Sequence, residues 1–398
     1  MAELDIPLRP EEKAAKPLTV CVTGATGYVA GHIVARLLAA GHTVHATARD
    51  PSNARAVGHL TSLPGAAERL KLFKADLLAD GAYDEALSGC SAVMHTASPY
   101  FLDCPPGKEE EMLIGPAIKG TENVLASVNR AQGITRVLVT SSIVGVWGDP
   151  DERGKGHVFT EDDWNRIAHP KRYPYFYSKM KAEERAYEME REAGGRWSLV
   201  TLNPGVVWGP PVGKREDGES VKQMIDLLSG ALWPWAPTLG TAVVDVRDVA
   251  LAHCLALIKP AAKGRYLLVN QERGWYLLPD AARILKRSGA YARKWLPPMS
   301  PDYYGLCVFG PIMGCPVPIT KATFKKRPLV STAKAGRDLG ITEWIPMQRS
   351  VLDMAEDLSA KGMVPSFKTP VAWPVLALVA GILAWLLFAG ARRFLVAA

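Results

Sequence analysis

From Leu18 onward, short apolar runs rich in β-branched residues alternate with stretches whose apolar positions recur every three or four residues. The runs LTVCVTG, TVHATAR, LKLFKADL, AVMHTAS, RVLVTSS and WSLVTLNPG read as strands. Helical spacing fills the intervals: from inside the first glycine turn to about Ala40, a segment ending near Leu70, a short piece around Tyr83 to Leu87, then Glu111 to Gln132 and Ser178 to Glu192. Continuously apolar strands joined through helices predict an α/β fold, a doubly wound parallel sheet covered on both faces, across 18–205. Beyond 205 the regularity loosens. WGPPVGKREDGES is turn-rich, SGALWPWAPTLG sets two tryptophans among prolines, and MSPDYYGLCVFGPIMGCPVPIT is apolar but broken by Gly and Pro. VVDVRDVALAHCLALI (strand then helix), GRYLLVN (strand) and a helix over Arg349 to Lys361 are the regular pieces. Residues 206–365 are therefore expected to form mainly a smaller, irregular substrate-binding lobe, with some segments returning to the sheet.

The two ends read differently from the middle. Residues 1–17, MAELDIPLRPEEKAAKP, are polar with no apolar stretch and predict a flexible arm. Val371 to Ala391 (VAWPVLALVAGILAWLLFAGA) is uncharged, and its 21 residues at ~1.5 Å each give about 31 Å of helix, the thickness of a bilayer core. Lys368 precedes it and Arg392-Arg393 follows it. Pro374 and Gly381 weaken any helix, and a buried core helix is the competing reading. The expectation is a C-terminal transmembrane helix at 371–391, a single-pass membrane anchor with the catalytic domain facing the cytosol.

Composition narrows the classes further. Of 398 residues 48% are hydrophobic and 22% charged, which supplies a large core and excludes a disordered or polytopic membrane chain. The excess of 47 Lys+Arg over 40 Asp+Glu is interspersed, and the densest basic stretch, Lys321 to Arg327, is short and apolar-flanked; no nucleic-acid partner is expected. Six cysteines (Cys21, Cys90, Cys104, Cys254, Cys307, Cys315) are scattered, without a Cys-x-x-Cys pair or a histidine at ligand spacing. They predict reduced core residues and no metal.

Three clusters carry chemistry. The first strand ends in Thr23-Gly24-Ala25-Thr26-Gly27-Tyr28-Val29-Ala30-Gly31, where a helix begins. Glycine at such a turn admits a pyrophosphate to the backbone N–H groups at a helix N-terminus, which makes Gly24, Thr26, Gly27, Tyr28 and Val29 candidate contacts of a dinucleotide in a Rossmann unit. The second strand ends Ala48-Arg49-Asp50. Arg49, with Arg55 in reach, suits the 2′-phosphate of NADP, while Asp50 leaves NAD open. Third, Tyr175 and Lys179 stand one helical turn apart, so an ammonium would stabilise the phenolate of a tyrosine acting as general acid or base. Tyr177 and Lys181 have the same spacing and remain rivals. Ser142, ending RVLVTSS, is placed to hydrogen-bond a carbonyl oxygen. Together these suit hydride chemistry at a carbonyl.

In order along 18–364, TVCVTGATGYVAGHIVARLL, ATARDP, KADL, VMHTASP, IGPAIKGTENVL, VLVTSSIVGV, YFYSKMKAE, LNPGVVWGPP and VVDVRDVALAH resemble the extended short-chain dehydrogenase/reductase family, in its dihydroflavonol reductase and cinnamoyl-CoA reductase branch. The resemblance implies catalytic Ser142, Tyr175 and Lys179, with Lys179 also on the nicotinamide ribose. It implies Asp76 and Leu77 beside the adenine, Thr96, Ala97 and Ser98 along the cofactor, and Asn203, Pro204 and Val207 near the nicotinamide. Trp147 stands where dihydroflavonol reductases carry a flavonoid-contacting asparagine. Arg172, Tyr173, Phe176 and Ser178 depart from the tyrosine motif of cinnamoyl-CoA reductases. The expected function is NADPH-dependent reduction of a ketone or aldehyde, or the reverse alcohol oxidation. The substrate is expected to be lipophilic, given the anchor and the apolar Trp233, Trp235 and 303–318 region. A membrane-bound hydroxysteroid or sterol dehydrogenase, a sugar-nucleotide epimerase or dehydratase holding NAD, and a non-catalytic dinucleotide sensor are the alternatives.

Overall fold

The computed structural model describes residues 6–13, 16–98, 105, 107–215, 218–271, 273–300, 303–304 and 321–367. The first half runs β1 (Thr19–Thr23), α1 (Tyr28–Ala39), β2 (Thr43–Ala48), α2 (Ala54–Thr61), α3 (Ala66–Arg69), β3 (Leu70–Lys74), α4 (Asp84–Leu87), β4 (Ala92–His95), α5 (Gly115–Arg130) and β5 (Arg136–Thr140). There follow β6 (Val158–Phe159), α6 (Pro174–Glu192), β7 (Ser198–Pro204), β8 (Val206–Trp208), α7 (Glu219–Leu228), β9 (Gly240–Thr241), β10 (Val243–Asp245), α8 (Val246–Ile258) and β11 (Gly264–Leu268). The last elements are β12 (Trp275–Tyr276), α9 (Leu277–Arg287), β13 (Leu329–Val330) and α10 (Met347–Ala360).

Seven strands form one parallel sheet in the order β11-β7-β5-β4-β1-β2-β3. Strand periodicity divides its side chains between two cores. Val20 and Val22 of β1 join the face covered by α1 and α8, whereas Cys21 joins the face covered by α4, α5 and α6. Likewise Leu138 of β5 faces α1 and α8 while Val137 and Val139 face the other layer. Both faces being buried explains why the strands read as unbroken apolar runs.

Several segments beyond residue 205 return to the core of the sheet. Val249 to Leu257 of α8, Tyr266 and Leu268 of β11, and Ala335, Leu339 and Ile341 all pack into the α1 layer. The second lobe has its own core, in which Trp208, Met224, Leu228, Leu285, Val351 and Met354 unite α7, α9 and α10. Neither α7 nor α9 was legible as a helix in the sequence pattern, because each is short and bordered by turn-formers.

The arm is not loose over its described part. Glu12 is 1% exposed and ion-paired through both carboxylate oxygens with the buried Arg36 of α1. Arg36 also donates to Pro7 O at 3.1 Å and Arg9 to Gly340 O at 2.7 Å, while Ile6 packs on the α1 core. One acidic residue of this polar segment thus neutralises a cation that α1 buries. The basic stretch is likewise engaged: Lys326 pairs with Asp149 (2.7 Å) and Asp151 (3.4 Å), and Arg327 lies over the Tyr276 ring at 4.1 Å. Cys21, Cys90 and Cys254 are buried free thiols, and among the described residues no group of His, Cys, Asp and Glu is arranged to hold a metal. No helix among the described residues is long and apolar enough to cross a membrane; the run 371–391 lies outside them.

Candidate active site

A doubly wound sheet opens at its carboxyl edge where strand order reverses, here between β1 and β4. The loops leaving β1, β4 and β5 converge there. Gly24 has φ +62°, and a Cβ on it would stand 3.0 Å from Ala97 Cα, so only glycine lets the β1 and β4 loops close together. Its N–H donates to Thr47 Oγ1 at 3.1 Å, and Ala25 N donates to Thr47 O at 2.9 Å, which pins the turn to β2. Gly27 is the N-cap of α1 and gives no side-chain cap, so the N–H groups of the first turn are left for a ligand.

Beneath this loop Thr23 Oγ1 accepts from Thr96 N and Ala97 N, both at 3.1 Å. Its hydroxyl proton is then directed at His95 Nδ1, 2.9 Å away, which must be an acceptor. His95 is held neutral: burial, and secondarily the Lys179 ammonium, push it down to about 3. Tyr28 turns its hydroxyl to Gly209 O (2.6 Å) and Arg215 donates to Thr26 O (3.4 Å), so the loop after β8 closes over the glycine turn. That approach had no signal in the sequence beyond the loop's prolines.

At the far end of β2, Arg49 and Arg55 are both exposed. Asp50 is turned into its own loop: Oδ1 accepts from Ser52 N at 3.0 Å and Ser52 Oγ at 2.6 Å, and these bonds hold its carboxyl below the usual range. Asp76 Oδ1 accepts from Leu78 N (2.9 Å), and Leu77 is clamped against α5, with Asn123 Nδ2 donating to its carbonyl at 3.0 Å.

The two tyrosine–lysine pairs on α6 differ sharply. Tyr177 is half-buried, and Lys181, 5.9 Å from its ring, is tied to Glu184 at 2.6 Å. Tyr175 and Lys179 are buried on the opposite side, the ammonium 5.8 Å from the ring centre. Lys179 Nζ donates to Ser98 Oγ at 2.7 Å, which brings α6 to the β4 loop, and burial lowers its pKa to about 8. Tyr173, the third tyrosine of the cluster, is buried and stacked on Phe176 at 5.4 Å.

Of the paired serines after β5, Ser141 donates to Glu183 Oε2 at 2.6 Å inside the core. Ser142 caps the short helix Ile143–Gly145, accepting from Val144 N at 3.4 Å, and stays partly open. Trp147 is buried against Phe159 (5.0 Å), a core residue at the place where relatives were expected to differ. Behind the serines, fully buried Glu183 accepts from Arg265 Nε (2.7 Å), Thr201 Oγ1 (3.0 Å) and Asn203 Nδ2 (2.8 Å) as well as Ser141. Asn203 Nδ2 also donates to Ser142 O at 3.2 Å, so both its protons face acceptors and its Oδ1 is left buried without a partner. Pro204 ends β7 and Val207 lies half-buried in β8. Glu183 was missed in the sequence, although it continues the series Tyr175, Lys179 at the same i, i+4 spacing.

A sequence profile described as the NAD dependent epimerase/dehydratase family matches residues 20–270. The chain belongs to that family. A cinnamoyl-CoA reductase of Medicago truncatula is 37% identical over 347 residues, 86% of this chain and 96% of the relative. A dihydroflavonol 4-reductase of Gerbera hybrida is 33% identical over 72% of this chain and 74% of its own length. Among solved structures, Gre2 of Candida albicans in complex with NADPH superposes with a TM-score of 0.69 at 27% identity, over 86% of this chain and 99% of that one. Like these relatives, the chain is an NAD(P)-dependent oxidoreductase of the type that reduces carbonyl compounds.

Proposed function

We propose that the protein reduces a ketone or aldehyde with NADPH, with Tyr175 as proton donor. The observation that carries this is the buried pair Tyr175 and Lys179, fastened to the cofactor loops through Ser98. The residues fit such a cofactor: the uncapped first turn of α1 would take the pyrophosphate, and the orphaned Asn203 Oδ1 suits the N–H donors of a carboxamide. Bound NADPH supplies the hydride. Tyr175 gives its proton to the carbonyl oxygen, Ser142 Oγ orients that oxygen, and the Lys179 ammonium stabilises the phenolate left behind. The test is consumption of NADPH by the full chain across flavonoid, phenylpropanoid, steroid and aliphatic carbonyls. Turnover with at least one class is expected, and none with any would refute the reading.

Preference for NADPH over NADH is supported by exposed Arg49 and Arg55 and by Asp50 being occupied with Ser52. Charge-assisted hydrogen bonds to a phosphate contribute about 1.5–3 kcal/mol, so Arg49→Ala should weaken NADPH roughly 10–150-fold. NADH, which lacks the 2′-phosphate, should change by less than two-fold in the same fluorescence titration. Equal losses would place Arg49 elsewhere.

The alkaline limb follows from Lys179. Below its pKa of about 8 the group is an ammonium; as pH rises through that value the charge that stabilises the phenolate is lost. In the reductive direction kcat/KM should therefore fall above about pH 8. Lys179→Arg, which does not titrate there, should remove the limb while lowering the rate. A profile flat to well beyond pH 9 would exclude Lys179 as the titrating group.

The run Val371 to Ala391 supports a further part of this reading, a single membrane anchor that presents the catalytic unit to a lipophilic substrate. Flotation of the full chain with lipid vesicles, resistant to high salt, is the expected result.

A further inference from the structure

Away from the cofactor loops, three separate segments bring apolar side chains to one exposed place. Trp295, Met299 and Phe367 are 53%, 52% and 50% exposed. Trp295 meets Trp233 edge-on at 5.2 Å and Phe367 at 5.9 Å. Met299 is bound to the backbone on either side of Trp235, its N donating to Pro234 O at 3.2 Å and its O accepting from Ala236 N at 3.0 Å. Gly230 lies underneath: a Cβ there would be 3.0 Å from Trp295 Cβ and 3.6 Å from the Phe367 ring. The patch is thus seated on backbone. A clustered aromatic surface left open to water marks an interaction site.

Charge and chain path identify the partner. Residues 281–300 contain Lys286, Arg287, Arg293 and Lys294, besides Arg283, which pairs with Asp280 at 2.6 Å, and no Asp or Glu; residues 358–398 contain Lys368, Arg392 and Arg393, besides Lys361, which pairs with Asp357 at 2.7 Å, and again no acid. Four residue steps separate Phe367 from Val371, where the uncharged run begins, so its start lies within about 14 Å of the patch even when fully extended. Aromatic rings beside basic side chains, next to an apolar segment of bilayer length, match the interfacial layer of a membrane with anionic headgroups.

We propose that Trp295, Met299 and Phe367 form a membrane-docking surface that lays the second lobe against an anionic bilayer. The proposal rests on the anchor reading above and adds to it an orientation: the catalytic unit lies on the membrane instead of swinging free on a tether. Docking has two components, insertion of the rings and attraction of the cations, and the second weakens with salt.

The test uses the full chain in vesicles of phosphatidylcholine and phosphatidylserine carrying a phosphatidylcholine with a diazirine near the glycerol end of its acyl chain. After irradiation, lipid adducts are mapped by mass spectrometry. Adducts are expected on peptides holding Trp295, Met299 and Phe367 as well as on 371–391. The double variant Trp295→Ser, Phe367→Ser should lose at least five-fold of the adducts at 291–300 while keeping those on 371–391 and an unchanged Kd for NADPH, which shows that it is folded. Adducts confined to 371–391 would overturn the docking surface and leave the anchor standing. Adducts nowhere would overturn the anchor and, with it, the docking. Patch adducts that disappear as protein concentration rises in the same vesicles would show a second copy covering the patch and would also overturn the proposal.

Discussion

Tyr175→Phe, which removes one oxygen atom, should lower kcat about 10²–10⁴-fold while the Kd for NADPH stays within two-fold. The size follows from what that oxygen does. Once hydride reaches a carbonyl carbon, the oxygen carries a developing negative charge, and in a closed site a positioned hydroxyl is the nearest source of a proton. Tyr175 is 8% exposed and Lys179, one turn further along α6, faces the same interior. The phenyl ring of the variant fills the same volume, so helix α6, the Lys179–Ser98 bond and the cofactor loops should be undisturbed. Tyr177→Phe is the matched control. Its partner Lys181 is bound to Glu184, and the variant should turn over at close to the native rate. The measurement is steady-state NADPH oxidation beside a fluorescence titration of cofactor binding. If the Tyr175 variant kept more than a tenth of its activity, or if Tyr177→Phe were the inactive one, the proton-donor assignment would be wrong.

That contrast also shows what the sequence could and could not reveal. Strand and helix order was readable across the sheet because both faces are buried and each strand is an uninterrupted apolar run. The glycine turn was readable because Gly24 has a positive φ and no room for a Cβ beside Ala97. Spacing alone left Tyr175 with Lys179 and Tyr177 with Lys181 equivalent; only the burial of one face of α6 separates them. The arm misled because Glu12 looks solvated until the Arg36 it neutralises is known to lie inside the fold. Contacts between distant segments leave no local trace, which is why Arg215 over Thr26 and Glu183 with Arg265 went unread.

The largest effect on stability is expected at Glu183. Removing one partner of a buried ion pair leaves the other charge uncompensated, so Glu183→Ala should cost about 3–5 kcal/mol. Here the loss is compounded, because Ser141 just after β5 and Thr201 and Asn203 of β7 also donate to that carboxylate. A Tm lower by about 4–7 °C is the expected reading, with Glu183→Gln, which keeps the shape and one acceptor oxygen, falling between. Replacing the pair together, Glu183→Leu with Arg265→Met, should recover part of the loss, since no buried charge then remains. A loss within 2 °C for Glu183→Ala would mean that water replaces the carboxylate without strain. The same carboxylate has a consequence for chemistry. It fixes Asn203, whose amide in turn holds the Ser142 carbonyl, and it fastens α6 two turns beyond Tyr175. At temperatures where Glu183→Gln remains folded, kcat should therefore fall by more than the Kd for NADPH rises, because Asn203 is the one proposed cofactor contact held by this network, while the glycine turn and Arg49 lie outside it. A variant that weakened cofactor binding and left kcat intact would show that Glu183 supports the cofactor loops instead of the reacting groups.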